Sequence, residues 1–528
     1  MKRTLFTGLL LWTLGMLQAQ YRVSDIHISG SSYPLNLTPF NGQLFFTATH
    51  PLLGMEPFMV DSMGNVQMIA DVNQGAGNSF AEGYTVFKDQ MYFVAMNVNE
   101  DFRLWRYSPA GLTSVPAPII QQDFFVPRSG HFQIIDDQMI LAIGDGPLNY
   151  GIEPYRYNGF GSLQLIADVN YGFSSSSPQS FVEMGGKWYF VANTHQYGTE
   201  LFEHDPTTGS TQMVQDLRIG SPSGIEQGFT GDLEKLVVFN DRVYFSGKDA
   251  IHGWNLRAYD GDTLISYFLN PTGLGSPFNL TVFKDALYFM SRDSVNNPIL
   301  NRVDKSGDVT EVAQQGFMPG FIMGDTYVYP MNDGIHGTEL WVFDGVNPPS
   351  MVIDLNPGTG NGVSNFTVMN HGIIAQGKLY FAGNDGIHGD ELWVYDGINP
   401  PAMVMDIQPG PLGSLPREFA VMGSKIFFSA DDGQFGRELW AMDLQTVSND
   451  AEIESSIVMY PNPAQDWLSI ESANPVASVS IFDLSGKLIH QYAQASDRVF
   501  LGNLKTGSYV IEATLVNGHS VRRMIVKR

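Results

Sequence analysis

The chain has 528 residues, 55 of them glycine and none cysteine, with 12% aromatic and only 16% charged residues. That balance suits short strands joined by tight turns better than long solvated helices, and the missing cysteines exclude disulfides, zinc–thiolate sites and thiol nucleophiles. A formal net charge of −25 argues against nucleic acid and anionic membranes as partners, since both require a basic footprint.

In chain order, the first stretch reads as a secretory signal: Lys2 and Arg3, an apolar run from Leu5 to Leu17, then Ala19 before Gln20 as the cut. The apolar run is shorter than the roughly 20 residues a membrane-spanning helix needs. Residues 1–19 are therefore expected to be a signal peptide, and no later segment is apolar over a spanning length.

From Tyr21 to about Thr446 one four-part phrase recurs. Its first part is a strand with an aromatic core behind a tight turn, as in Leu44-Phe45-Phe46, Met91-Tyr92-Phe93, Trp188-Tyr189-Phe190, Val243-Tyr244-Phe245, Leu287-Tyr288-Phe289 and Leu379-Tyr380-Phe381. The second part is reached through a Gly-rich loop such as Asp385-Gly386-Ile387-His388-Gly389 and begins Glu-Leu-Trp, so the first two parts form a hairpin. The third is a short apolar strand ending in Asp and a Pro/Gly loop, as at Asp406-Ile407-Gln408-Pro409-Gly410. The fourth, such as Phe419-Ala420-Val421, leads into the next turn.

Nine copies at a period of roughly 50 residues, four strands each, indicate an all-β fold built as a β-propeller of about 8–9 four-stranded blades. The alternative is an open β-solenoid. The units around Arg103-Leu104-Trp105 and Asn297-Pro298-Ile299 are degenerate, which leaves eight or nine blades open. The chain enters with parts three and four (Val23 to Ile26, Leu35 to Phe40) and leaves with parts one and two (Lys425 to Asp443), so the two ends are expected to share one blade and remove an exposed sheet edge.

Residues 448–456 are a polar, acidic linker after a propeller domain spanning 20–447. Residues 457–528 alternate strand and turn over a length sufficient for a small Ig-like β-sandwich.

This last segment resembles a known family. Met459-Tyr460-Pro461-Asn462-Pro463, Leu468-Ser469-Ile470, Ile481-Phe482-Asp483-Leu484-Ser485-Gly486-Lys487-Leu488 and Leu504-Lys505-Thr506-Gly507-Ser508-Tyr509-Val510 occur in the order of the type A C-terminal sorting domain of the bacterial type IX secretion system. The resemblance implies a partner, the outer-membrane translocon, and a destination, the cell surface or the medium reached through the periplasm. The sorting motif would be carried by Tyr460, Pro461, Asn462, Pro463, Asp483, Gly486, Gly507 and Tyr509. The array in turn resembles the bacterial repeat family with a Glu-Leu-Trp-x-x-Asp-Gly-Thr signature: Glu339 to Gly345 and Glu391 to Gly397 match up to the final threonine, replaced here by Val346 and Ile398, while Glu438-Leu439-Trp440 keeps the first half and Asp443. That family implies an exported, surface-exposed protein and brings no catalytic set.

Three sets of repeated residues invite a chemical reading. The Glu series (56, 153, 200, 339, 391, 438) and the Asp series (25, 71, 168, 216, 354, 406) could hold Ca2+, for which Asp354 and Asp406 are the candidate ligands, or supply an acid/base pair for glycoside cleavage. The plainer reading is that each carboxylate caps its own blade's turn. His252, His336 and His388 occupy one position in three units, too far apart around a ring to share a metal, and read as turn residues. Trp341, Trp393 and Trp440 could stack a sugar ring; packing between blades is the competing role. No Gly-x-Ser-x-Gly elbow, His-Glu-x-x-His helix or phosphate-cradling loop is present. The sequence therefore points to a secreted, non-catalytic binding or adhesion protein for glycan or extracellular protein. An exported enzyme acting on polysaccharide or protein, and a structural surface or matrix component, are the alternatives, and an active site would show as a one-off departure from the repeat.

Overall fold

The computed structural model describes residues 20–116, 132–145, 150–225, 236–269, 277–364, 366, 370–444, 457–460, 464–472, 476–482, 488–492, 498–515 and 520–528. The expected signal segment, the linker 448–456, and the motif residues Pro461, Asn462, Pro463, Asp483 and Gly486 lie outside the described residues. The chain divides into two compact units between Leu444 and Gln445, and every regular element described is a β-strand.

The first unit holds nine four-stranded antiparallel sheets, each a meander of neighbouring strands. A solenoid would instead stack strands from successive repeats into continuous sheets. Blades 1 to 9 open at Leu35, Glu82, Gln133, Gln179, Val237, Phe278, Phe321, Gly372 and Arg417. Both degenerate units of the sequence form complete blades, Glu82–Phe87 to Gly111–Ser114 and Phe278–Phe283 to Val309–Ala313, so the described residues form nine blades.

The second strand of each blade is apolar in consecutive residues, not alternating ones, because a blade is packed on both faces. Leu44, Phe45 and Phe46 are all fully buried, as are Met91, Tyr92 and Phe93. The cores accordingly lie between blades: Phe87 and Tyr92 of blade 2 pack with Met139, Tyr155 and Tyr157 of blade 3, and Tyr288 of blade 6 packs with Tyr327 and Phe343 of blade 7.

The inner strands carry a feature the pattern does not announce. Five of them shift register by a bulge near their start, and the bulged residues Asn36, Ser180, Asn279 and Glu418 sit at φ between 54° and 59°, the left-handed region that costs non-glycine residues energy. The bulge sends polar groups to the neighbouring blade. Asn279 Nδ2 donates to the Phe317 carbonyl at 2.9 Å, Glu418 Oε2 accepts the Asn36 N–H at 2.7 Å, and the Phe419 carbonyl within a bulge accepts Asn370 Nδ2 at 2.7 Å.

The ends of the array meet differently from the expected sharing. Leu35–Phe40 is the inner strand of blade 1, not part of blade 9, and Val23 to Ile26 is not a strand. Gln20–Arg22 alone completes blade 9, pairing antiparallel with Arg437–Asp443 through Gln20↔Met442, Tyr21↔Ala441 and Arg22↔Trp440. Three strands come from the end of the array and one from its beginning.

The second unit is a sandwich of a three-stranded sheet (Ile457–Tyr460, Trp467–Ser472, Arg498–Phe500) and a four-stranded sheet (Val476–Phe482, Leu488–Tyr492, Gly507–Leu515, Ser520–Lys527). Its core is small and aliphatic: Leu468, Ile470, Val479, Ile481, Val499, Leu501, Ile511 and Ile525.

Candidate functional site

The repeated glutamates are consumed by the fold. Glu56, Glu153, Glu200, Glu339, Glu391 and Glu438 are each fully buried, and their carboxylates accept backbone N–H groups from the loop that leaves the outer strand. Glu391 is the fullest case, with Ile407 N–H at 3.0 Å, Gln408 N–H at 3.0 Å, Ser414 N–H at 2.9 Å and Ser414 Oγ at 2.6 Å. Glu339 holds Leu355 and Asn356, Glu56 holds Val72 and Asn73, and Glu153 holds Val169 and Ser176. The loop must come close, and glycine allows it: a Cβ on Gly362 would lie 2.2 Å from Glu339 Oε2. Burial pushes Glu56 and Glu153 up to about 7 and Glu200 to about 8, against the pull of their hydrogen bonds.

The repeated aspartates hold the next turn of the same loop. Oδ2 accepts the N–H of a glycine four residues on: Asp71 from Gly75, Asp168 from Gly172, Asp216 from Gly220 and Asp354 from Gly358. The other oxygen, Oδ1, of Asp25, Asp71, Asp168, Asp216, Asp354 and Asp406 is buried with no hydrogen-bond partner among the described residues. Asp354 and Asp406 thus sit in different blades, and no group of three or more acidic or histidine side chains gathers to hold a metal among the described residues.

The histidines clamp their own loops. His336 Nδ1 and His388 Nδ1 lie 2.7 Å from Asp333 Oδ2 and Asp385 Oδ2, and His252 Nδ1 lies 3.2 Å from Asp249 Oδ2. The partner carboxylates raise His336 and His388, while Asp333 falls to about 2. The indoles of Trp341, Trp393 and Trp440 are only 6–7% exposed and pack in the cores of blades 6–7, 7–8 and 8–9. Their faces are covered by protein and offer no platform to a sugar.

Three blades lack the loop-holding glutamate: Arg103 takes its place in blade 2, Asn255 in blade 5 and Ile299 in blade 6, and it is around blade 6 that the structure opens. Where blades 7 and 8 have Glu339 and Glu391, blade 6 has Ile299, which cannot hold a loop. The connection from blade 6 to the next blade is only residues 314–320, against 354–371 after blade 7 and 406–416 after blade 8. The missing loop opens a cavity of about 830 Å³ on the face carrying the Gly-rich loops, within the range of small-ligand sites. Blade 6 contributes Phe278, Met290, Arg292 and Pro298, and the short connection contributes Gly316, Phe317 and Met318. Blade 7 adds Pro330, Met331, Asn332 and Thr338 with Asn356, Asn361, Val363, Ser364 and His371 of the long loop after it; blade 8 adds Asn384 and Asp390.

Two of these depart from the repeat in charge. Arg292 stands where Asn332 and Asn384 stand in the following blades, and its guanidinium lies 5.5 Å from the Phe278 ring centre. Asp390 stands where Thr338 and Thr199 stand. Its Oδ1 accepts Asn384 Nδ2 at 2.7 Å and its Oδ2 accepts Ser364 Oγ at 3.1 Å, whereas Thr199 Oγ1 takes the corresponding Asn193 Nδ2 at 3.0 Å. His371 is lowered by burial, partly offset by the Asp390 charge. The degenerate unit at Asn297-Pro298-Ile299 was the available sequence signal for this site. The opening itself depends on loop length, which the repeat pattern alone does not convert into space.

In the second unit Tyr460 is exposed and bonds Glu471, while Tyr509 packs on the core and donates to the Lys505 carbonyl at 2.9 Å. Gly507 opens the strand Gly507–Leu515.

Among solved structures the chain is similar to a computationally designed protein, Ika8, at 12% identity over 69% of this chain and 96% of that one, with a TM-score of 0.36. It is also similar to PorZ, described as an essential bacterial surface component of the type IX secretion system of Porphyromonas gingivalis, at 10% identity over 97% and 93% with a TM-score of 0.20. A puromycin-hydrolysing peptidase of Mycobacterium tuberculosis matches at 11% identity over 69% of this chain and 60% of its own, with a TM-score of 0.32. At these scores the likeness extends to no activity or partner. No curated protein matches the chain. Residues 458–527 match the family model of the secretion system C-terminal sorting domain, so the chain carries a type IX sorting domain and is exported to the cell surface or the extracellular space.

Proposed function

We propose that this is a non-catalytic binding or adhesion protein, delivered by the type IX machinery, whose ligand site is the cavity at blades 6 to 8. The observation that carries the reading is the division of labour among side chains. The repeated Glu, His and Trp residues are occupied in holding blades and loops, while Arg292, Pro298 and Asp390, each a departure from the repeat, line one open cavity of about 830 Å³. A site for recognition is built from a few placed polar groups over an apolar floor, and this cavity has both. The likeness of the repeat to the Glu-Leu-Trp-x-x-Asp-Gly-Thr family, a surface-exposed group, is part of the same reading.

The test is a glycan and extracellular-protein array probed with the purified mature chain, in calcium and in chelator, with bound targets checked for cleavage. Retention without cleavage is the expected result. Cleavage would replace this reading with an exported enzyme, and silence on the whole array would favour a structural surface component. Loss of retention in chelator would make the repeated Asp carboxylates calcium ligands.

A further inference from the structure

We infer that the cavity at blades 6 to 8 takes an extended peptide segment that inserts an apolar side chain; this deepens the binding reading above and rests on it. The accessible apolar lining is Phe278, Pro298 and Met318, all half-buried, set over Met290, Phe317 and Met331, which are nearly or fully buried beneath it. Thioethers are flexible and polarisable, so Met318 at the surface, backed by Met290 and Met331, can adjust to side chains of differing shape. Gly316 makes room for Met331, since a Cβ there would meet its Cγ and Sδ at 3.0 Å.

The rim is made of carboxamides. Asn332 Oδ1 is fixed by the Gly334 N–H at 2.7 Å and Asn361 Oδ1 by the Thr338 N–H at 2.9 Å. Each amide is thereby oriented through its oxygen, and among the described residues its Nδ2 donors meet no acceptor and can take an incoming carbonyl. A peptide backbone supplies such carbonyls at regular spacing, together with the apolar side chain the floor requires. A glycan is the poorer fit. Phe317 is fully buried, and the ring of Phe278 already has the Arg292 guanidinium 5.5 Å from its centre, so no open aromatic face is offered. The two departures in charge, Arg292 on blade 6 and Asp390 on blade 8, lie across blade 7 from one another and suit a segment with unlike polar ends. The chain's net charge of −25 disfavours a strongly acidic one.

The experiment uses the full mature chain with an array of short unstructured peptides varied at a central position, read beside a glycan array. Two variants accompany it. Met318→Glu places a charge at the floor's exposed margin. The double substitution Arg292→Asn with Asp390→Thr restores the residues the repeat carries elsewhere, so the blades should keep their melting temperature. Binding to peptides centred on Leu, Met or Phe, weakened about tenfold or more by each variant, is the expected result. Peptide binding indifferent to both variants would overturn the assignment to this cavity. Glycan binding without peptide binding would overturn the peptide and leave the binding reading standing, and no binding in either array would overturn both.

Discussion

Ser32 Oγ donates to Glu438 Oε2 at 2.6 Å, across 406 residues of chain. In every other blade that holds a loop this way the glutamate and the loop come from one repeat. In blade 9 the glutamate comes from the end of the array and the loop from its beginning. Ser32 N–H and Ile26 N–H also donate to Glu438, at 3.0 and 3.3 Å, and Ser31 Oγ accepts the Arg437 N–H at 2.9 Å. A device that elsewhere braces a blade here joins the two ends of the ring.

Glu438→Ala should therefore cost roughly 2–4 kcal/mol, because it leaves several buried donors without an acceptor. Ser32→Ala removes one donor and should cost about 1 kcal/mol. Urea melts check both, and equal small losses would mean that pairing of Gln20–Arg22 alone secures the closure.

Trp393 is packed with Leu340 and Val328 of one blade and Leu379 and Phe381 of the next. Trp393→Ala should lower stability by roughly 3–5 kcal/mol while leaving ligand affinity unchanged at temperatures where the variant is folded. An unchanged melting curve would contradict the packing role.

Acidity should act through the buried glutamates. An acid whose folded pKa is raised holds its proton in the native state while the unfolded chain has lost it, so stability falls as pH climbs from about 4.5 through the folded value. With Glu56 and Glu153 at about 7 and Glu200 at about 8, the melting temperature should fall between pH 6.5 and pH 8. His336 and His388, raised by their aspartates, act in the same direction, and buried His204 and His371 oppose it only below their ordinary value. Glu200→Gln should flatten the slope with a smaller loss at neutral pH than Glu391→Gln, since Glu200 is held by the Gly224 N–H at 2.8 Å and the Leu217 N–H, without the serine that Glu391 has. Glu391→Gln, which disturbs four donors, should destabilise at every pH. A flat profile between pH 6.5 and 8 would mean these carboxylates stay ionised.

Passage from the periplasm to the surface should depend on the second unit. Deleting residues 457–528 should leave the propeller's melting curve intact and strand the protein in the periplasm, as cell fractionation would show. Normal surface delivery of the truncated chain would contradict a sorting role for the sandwich core around Leu468, Ile481 and Ile511.

The sequence by itself determined the strand grammar, the repeat and the sorting tail. Those are local facts: Asp-Gly turns admit positive φ, and runs such as Leu44-Phe45-Phe46 tolerate only a strand buried on both faces. It also showed two irregular units, around Arg103-Leu104-Trp105 and Asn297-Pro298-Ile299, and the strand register then placed Ile299 where blades 7 and 8 carry glutamate. Only the tertiary structure decided what each repeated residue does, because a buried carboxylate is defined by the donors around it, and those of Glu438 lie some 400 residues away. The split of the closing blade, the bulges at Asn36, Asn279 and Glu418, and the cavity beside Met318 likewise belong to the ring. Each arises from how one blade is seated against the next, a relation between segments that no single repeat contains.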